Sequence, residues 1–360
     1  MSTPECLRLE ILRDAMARVD LPVLLLTDLV NIQYLTGFTG TAAKILVTDE
    51  SFFFFTDGRY EVQAAADLDM AGLGADLRVL SAGEEKEIAS CVAGMARVGF
   101  ESQTISWKLF HRLESAISVA LVPVENMVEQ VRARKDEKEI AAITAAVALA
   151  DTGLAEALAV VDPSLTTESD LALSIEWEMR VRGATGVSFP LIVAAGARAA
   201  LPHASPTQAV LGRHVPVIID IGCKRDAYCS DMTRTVCWGT PSAETERVHD
   251  VVVEAQNAAR AAVRAGVPCK DIDAAARDVI TEAGYGDAFI HATGHGIGLV
   301  VHEVPFLSGR SSETLEAGNV ITLEPGIYLP GSGGVRIEDI VVVTEEGCET
   351  LTQSPRDLFL

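Results

Sequence analysis

Asp220 and Asp231 lie at the two ends of a segment, Val-Pro-Val-Ile-Ile-Asp220-Ile-Gly-Cys-Lys-Arg-Asp-Ala-Tyr-Cys-Ser-Asp231-Met-Thr-Arg-Thr-Val, that is apolar and β-branched on both sides of a polar centre. That pattern predicts a β-hairpin. With its turn at the midpoint, between Arg225 and Asp226, the two carboxylates face each other, and opposed Cβ atoms in a ladder are roughly 4.5 to 5.5 Å apart. Anionic groups that close repel unless a divalent cation, or a pair of them, lies between. Ile218, Ile219 and Ile221 point to a buried strand rather than a solvated surface pair. A second hairpin repeats the arrangement, because Glu324 and Glu338 are centred on Gly331 in the turn-rich Pro330-Gly-Ser-Gly-Gly334. Two histidine segments join these carboxylates: Leu201-Pro-His203-Ala-Ser-Pro, and His291-Ala-Thr-Gly-His295-Gly-Ile-Gly-Leu-Val-Val-His302-Glu-Val-Pro. The spacing Gly294-x-Gly296-x-Gly298 lacks the lysine and the strand-then-helix setting of a phosphate loop, so nucleotide binding is set aside.

Positioning these groups requires a framework, and the chain supplies two. Residues 1–128 alternate short apolar strands (22–26, 43–47, 51–55, 97–100) with helical stretches, which predicts an α/β domain. The composition turns charged at Lys135-Asp136-Glu137-Lys138-Glu139, where Asp136 and Glu139 form a helix-capping pattern before an Ala-rich helix reaching about Val161. The boundary is placed just before it, so that residues 129–360 make the second domain. There a helix from 136, a helix from Thr167 to about Arg182, strands at 187–195 and the 215–237 hairpin appear in that order. Helices opening at Ser242 and Asp271 and strands at about 319–328 and 335–343 then repeat it, giving two helix-helix-sheet halves.

Fifty-one acidic against 29 basic residues give 360 residues a formal charge of -22, which disfavours nucleic acid and anionic membrane surfaces. Hydrophobic content of 49% and a mean hydropathy of +0.25 fit a compact protein with two cores. No uninterrupted apolar run reaches the roughly 18 residues of a membrane span. The seven cysteines are scattered without a Cys-x-x-Cys pair, and Met-Ser-Thr-Pro-Glu-Cys has no signal-peptide character. A cytoplasmic protein is expected.

Taken together, Ile219-Asp220-Ile-Gly, Ser230-Asp231-Met-Thr-Arg-Thr, Gly294-His295-Gly-Ile-Gly, Leu323-Glu324-Pro-Gly-Ile-Tyr328 and Arg336-Ile-Glu338-Asp resemble, in order and wording, the five ligand segments of the pita-bread metallopeptidases. With Pro202-His203 and His302-Glu303-x-Pro305, the resemblance covers essentially residues 129–345. Asn31-Ile-Gln-Tyr-Leu-Thr-Gly-Phe-Thr-Gly40 and Phe55-Thr-Asp-Gly-Arg-Tyr60 are similar to the creatinase-type N-terminal domain of the proline-specific members. Methionine aminopeptidases lack that domain. Non-catalytic relatives and creatine hydrolases lack the metal set, whereas all five positions here carry capable ligands.

The resemblance implies roles. Asp220 would hold one metal, His295 and Glu324 the other side, and Asp231 and Glu338 would bridge. Oxygen donors with one imidazole favour manganese, cobalt or iron over a thiolate-type zinc site, and the resemblance puts manganese first, with cobalt, iron or zinc behind it. Glu324 would carry a proton to the leaving nitrogen, and His203 and His302 would hydrogen-bond the substrate carbonyl or oxyanion. Arg336, two residues before Glu338 and on its face of the strand, is expected to hold a ligand carboxylate, that of Asp231. A substrate with proline second has a tertiary scissile amide and needs an apolar wall for the ring, to which His203, His302 and Tyr328 would contribute. Phe306 stands where some dipeptidases carry an arginine for the free carboxylate, which puts the Xaa-Pro aminopeptidase first and the Xaa-Pro dipeptidase (prolidase) second. Long-form aminopeptidases tend to carry Asp where this chain has Asn31, a departure that leaves the residue recognising the substrate amine unassigned. A homodimer is implied as well.

Overall fold

The computed structural model describes residues 3–359, and the chain divides into one unit running to Arg132 and another beginning at Ala133. In the first unit six strands form one sheet in the order Asp76–Val79, Phe52–Thr56, Ala43–Thr48, Val23–Leu26, Arg97–Glu101, Ala120–Val124. All pairings are parallel except those of Ala43–Thr48, which runs antiparallel to both neighbours. The apolar runs read as strands in the sequence are those strands, and Val23, Leu25, Leu46 and Phe55 pack with Ile88 and Leu113 of the covering helices.

Asn31 is fully buried in this unit and is occupied there. Its Nδ2 donates to Glu101 Oε1 and to Glu129 Oε1, both at 2.7 Å, and its Oδ1 accepts from Arg132 at 2.8 Å. The other Glu101 oxygen accepts the backbone N–H groups of Thr27 and Asp28 at 2.6 and 2.8 Å. Burial nevertheless pushes the Glu101 carboxyl up to about 7. The Asn31 side chain is thus committed to joining a helix, a strand and the end of the unit.

The second unit holds the two halves. Glu137–Ala159 opens with the expected capping box of Asp136 and Glu139, and Glu168–Val181 opens with another made by Thr167 and Asp170. This pair packs close, since a Cβ on Gly153 would sit 2.6 Å from Met179 Cγ. It covers the sheet Met232–Val236, Val217–Ile221, Ile192–Ala195 through Leu154, Ile175, Met179, Val193, Val217 and Ile219. The second pair, Ala243–Ala262 and Cys269–Glu282, covers a five-stranded sheet in the order Glu303–Leu307, Gly294–Gly296, Val320–Leu323, Asp339–Val343, Cys348–Thr350. Glu137–Ala159 is, by length and hydropathy alone, apolar enough to cross a membrane. Its alanines raise the average although Asp151 interrupts the run, and its buried face lies in the core just described. All seven cysteines are free thiols.

Both hairpins form, and their registers differ from expectation in one case. In the second, the pairs Leu323–Asp339 and Gly326–Arg336 share a register that sets Glu324 across from Glu338, as the sequence predicts. In the first, Asp220 pairs with Thr233, and the turn is Asp226-Ala227 with both φ values positive, 49° and 71°. Centring the turn one residue later slides the ladder by two. Asp231 thus becomes a diagonal neighbour of Asp220 on the same face, where a two-residue offset leaves Cβ atoms still within reach. The strands can close at this break because residue 222 is glycine: a Cβ there would lie 2.1 Å from the Ser230 carbonyl oxygen.

The Asn31 network makes a prediction about the first unit. Asn31→Ala leaves Glu101, Glu129 and Arg132 each short of a partner in a buried setting, and should cost about 1 to 3 kcal/mol. Urea unfolding of the full chain measures it; a change within experimental error contradicts the structural role of the amide.

Candidate metal centre

Backbone hydrogen bonds lock the two hairpins and the histidine strand into one frame. Glu338 N–H donates to the Thr233 carbonyl at 3.1 Å and Glu324 N–H to the Thr293 carbonyl at 2.8 Å. Thr235 Oγ1 donates to the Arg336 carbonyl at 2.9 Å. The two glutamates lie where the second hairpin opens between its two ladders, so their N–H groups turn outward to the neighbouring elements instead of to each other. As a result Asp220, Asp231, His295, Glu324 and Glu338 all line one cleft of about 620 Å³, together with His203, His302 and Arg336.

Within that cleft, ligand atoms of Asp231, His295 and Glu338 lie within 4.8 Å of one another. His295 Nδ1 is 3.0 Å from the Gly296 carbonyl, an acceptor only, so the ring proton is on Nδ1. Its Nε2 lone pair therefore faces Glu324 Oε1 at 3.3 Å and Asp231 Oδ2 at 3.8 Å. Burial, reinforced by His302, lowers the His295 pKa to about 4, so the ring is neutral at pH 7. A lone pair aimed at two carboxylates is repulsive without a cation. The carboxyls show the same frustration: burial and then Glu338 hold Asp231 far above the usual range, burial and then Glu324 do so for Glu338, and burial pushes Glu324 up to about 8. Asp220 Oδ1, Asp231 Oδ1 and Glu338 Oε1 are buried without a hydrogen-bond partner. Orphaned oxygens of this kind, beside an imidazole lone pair, fit hard divalent cations.

Arg336 supplies the only guanidinium lining the cleft among the described residues, and its fork is fully engaged. It donates to Asp220 Oδ2 at 2.6 Å, to the Tyr328 hydroxyl at 2.8 Å and, through Nε, to Thr233 Oγ1 at 3.0 Å. Thr233 Oγ1 in turn donates to Glu338 Oε2 at 2.8 Å. Arg336 thus holds Asp220 and not Asp231, a correction that follows from the register: Thr233, which pairs with Asp220, brings that carboxylate under the fork. His203 and His302 reach the cleft wall without joining the carboxylates, and the His302 ring stands edge-on to His295 at 4.4 Å. Tyr328 also lines the cleft, 3% exposed, with its hydroxyl engaged by Arg336.

Two participants carry no role in the sequence reading. His291 Nε2 is 2.8 Å from the Tyr328 hydroxyl and its Nδ1 faces the Ala292 carbonyl at 2.8 Å, so the chain His291, Tyr328, Arg336, Asp220 is continuous. Its signal is the alternation of 291, 293 and 295 along one extended segment. Thr233 is visible only as part of the Asp231-Met-Thr motif. The apolar wall of Phe189, Pro190, Leu191 and Ile192 has no sequence signal beyond a short hydrophobic run.

Comparison with known proteins fits this geometry. Residues 141–345 match the model of metallopeptidase family M24, and residues 8–134 match that of the creatinase/prolidase N-terminal domain. The chain belongs to metallopeptidase family M24. An Xaa-Pro dipeptidase from Bacillus anthracis has a solved structure that is 38% identical, covers 99% of this chain and 100% of its own, and superposes with a TM-score of 0.94. The X-Pro aminopeptidase from Thermotoga maritima is 36% identical with a TM-score of 0.86, over 96% of this chain and 99% of that one. The Xaa-Pro dipeptidase of Pyrococcus furiosus is 33% identical over 92% of this chain and 93% of its own length. As an M24 member the protein is a hydrolase of a metal-dependent peptidase family, and its fold is the expected creatinase-type α/β domain followed by the catalytic domain with two helix-helix-sheet halves.

Raised carboxyl pKa values in this M24 site predict a pH dependence. The folded, metal-free chain retains protons that the unfolded chain has already released, so its stability falls as pH rises from the ordinary Glu value of 4.5 through about 8, the value reached by Glu324. Divalent ions require ionised carboxylates and stabilise most at the upper end of that window. Thermal melts of chelated and metal-loaded protein should therefore separate progressively between about pH 5 and 8. A separation that does not change with pH contradicts the assignment of proton-holding carboxyls to the metal site.

Proposed function

We propose that the protein is a metal-dependent Xaa-Pro peptidase, a prolidase whose principal substrates are Xaa-Pro dipeptides. One observation carries the reading: three partnerless buried carboxylate oxygens and the His295 Nε2 lone pair share a cleft that also presents His203 and His302. Asp220, Asp231, His295, Glu324 and Glu338 are the residues we assign as those that would hold two divalent ions, manganese first and cobalt, iron or zinc behind it. Such ions would supply Lewis acidity toward the scissile carbonyl and a water acidic enough to ionise near neutrality.

The remaining work falls to the chain. Glu324, whose side chain at 19% exposed is more open to the cleft than those of Asp231 and Asp220 at 6% and 12%, takes a proton from water and delivers it to the proline nitrogen. That nitrogen belongs to a tertiary amide and leaves only once protonated. His203 and His302 donate hydrogen bonds to the substrate carbonyl oxygen as charge develops on it. Arg336, fixed by Tyr328 and Thr233, keeps Asp220 oriented. Phe189, Pro190, Leu191 and Val301 offer the proline ring an apolar surface.

Two relatives described as Xaa-Pro dipeptidases support dipeptides as the main substrates and reverse the order of preference drawn from the sequence. The aminopeptidase reading stays second, favoured by the apolar, 43% exposed Phe306 at the cleft and by the Thermotoga maritima relative. Family resemblance and the free thiols support a homodimer in the cytoplasm. Specificity constants with manganese for Xaa-Pro, Xaa-Pro-Xaa and Xaa-Ala test the proposal. Xaa-Pro should be cleaved on the order of tenfold or more better than the tripeptide, in line with the two dipeptidase relatives, and Xaa-Ala should be poor. Faster cleavage of the tripeptide selects the aminopeptidase reading, and equal cleavage of Xaa-Ala contradicts proline specificity.

A further inference from the structure

Lys135 and Glu303 form an ion pair that the proposed chemistry does not use. Their Nζ and Oε2 atoms are 3.2 Å apart and the side chains are 1% and 5% exposed. Lys135 stands at the entrance to the second unit, where its N–H donates to the Gly318 carbonyl at 2.8 Å and Asn319 Nδ2 donates to the Ala133 carbonyl at 3.0 Å. Both contacts anchor it just before the strand Val320–Leu323. Glu303 opens the strand Glu303–Leu307 and directly follows His302.

Around the Glu303 carboxylate folds the loop that carries His302. Val300 N–H donates to Glu303 Oε1 at 3.1 Å, and a Cβ on Gly298 would lie 2.7 Å from either carboxylate oxygen, so the 298–300 turn rests directly on that group. The loop is also tied by Ile297 N–H to the Val320 carbonyl at 3.0 Å, by Cys229 N–H to the Gly298 carbonyl at 2.8 Å and Cys229 Sγ to the Leu299 carbonyl at 3.6 Å, and the His295 ring meets the Val301 backbone. The His302 ring itself makes no hydrogen bond within the described residues and stands edge-on to the His295 ring. Its direction is therefore set by the backbone, and the 298–300 turn of that backbone rests on the buried carboxylate beneath.

Burial costs such a pair much of its Coulomb energy, so an apolar replacement can match it for stability, while its hydrogen-bond geometry is far more directional. We propose that Lys135 and Glu303 are positioning residues for His302, fixing the 297–302 loop so that the imidazole meets the substrate carbonyl. The proposal rests on the role given to His302 above. Lys135 belongs to no ligand or histidine motif and lies far from them in sequence.

The test uses the full-length chain carrying Lys135→Met, and the neutral pair Lys135→Met with Glu303→Gln. The neutral pair removes both charges, so it remains informative if the single variant fails to fold. We expect it to keep its metal content and melting temperature while kcat falls on the order of tenfold to a hundredfold, with KM within about twofold. Histidine-selective NMR with a diamagnetic divalent ion should show the His302 imidazole resonances displaced and the other ring signals in place. A neutral pair with wild-type kcat and unmoved His302 resonances overturns the proposal, as does a loss of metal that accounts for the lost activity. His302→Ala in the same assays separates the two ideas. If that variant keeps full turnover, the catalytic role of His302 fails, while the resonance shift still decides whether the ion pair positions the ring.

Discussion

Mutual repulsion among buried carboxylates is the constraint on which this structure turns. Asp220, Asp231, Glu324 and Glu338 share one cleft with a single guanidinium, and a neutral imidazole turns its lone pair toward two of them. In the metal-free chain the conflict is relieved by protonation, as the elevated carboxyl pKa values record. A chain evolves such a site only if something positive fills it, because burying unpaired charge is among the most destabilising arrangements in folded proteins. The surrounding scaffold is therefore best understood as the means of holding like charges close.

Two half-sheets do the holding, each braced by its own helix pair. One hairpin from each half contributes carboxylates, and the hairpins are cross-linked by the Glu338 N–H to Thr233 carbonyl bond and by Thr235 to the backbone of Arg336. Arg336 is the electrostatic centre of that junction. By reaching Asp220, Thr233 and Tyr328 at once it links ligands from both halves, and Thr233 extends the chain to Glu338. Because Asp220 already gives one oxygen to Arg336, its other oxygen is left pointing into the cleft without a partner.

Much of this was legible in the chain before any coordinates. Alternation and turn-rich centres are local signals, so both hairpins, the capping boxes at Asp136 and Thr167 and the repeat of elements could be read directly. The register of the second hairpin was legible because Gly331 and its neighbours mark the turn; Gly331 adopts φ 85°. In the first hairpin the turn falls on Asp226-Ala227, and an alanine at positive φ carries no compositional flag. Centring that turn one residue later moves Asp220 opposite Thr233, beside the guanidinium of Arg336. Asn31 and Lys135 were illegible for another reason: their partners lie 70 residues and 168 residues away, respectively, and no local pattern records such contacts.

Metal stoichiometry tests the central claim most directly. Calorimetric titration of the chelated full-length protein with manganese, in two buffers of different ionisation enthalpy, counts the ions and the protons they displace. The account predicts about two ions per chain, with proton release that grows as pH falls from about 8 toward 6, as carboxyls that held protons surrender them. Binding of no ion, or binding without proton release, would contradict the claim that divalent cations resolve the repulsion among Asp220, Asp231, Glu324 and Glu338.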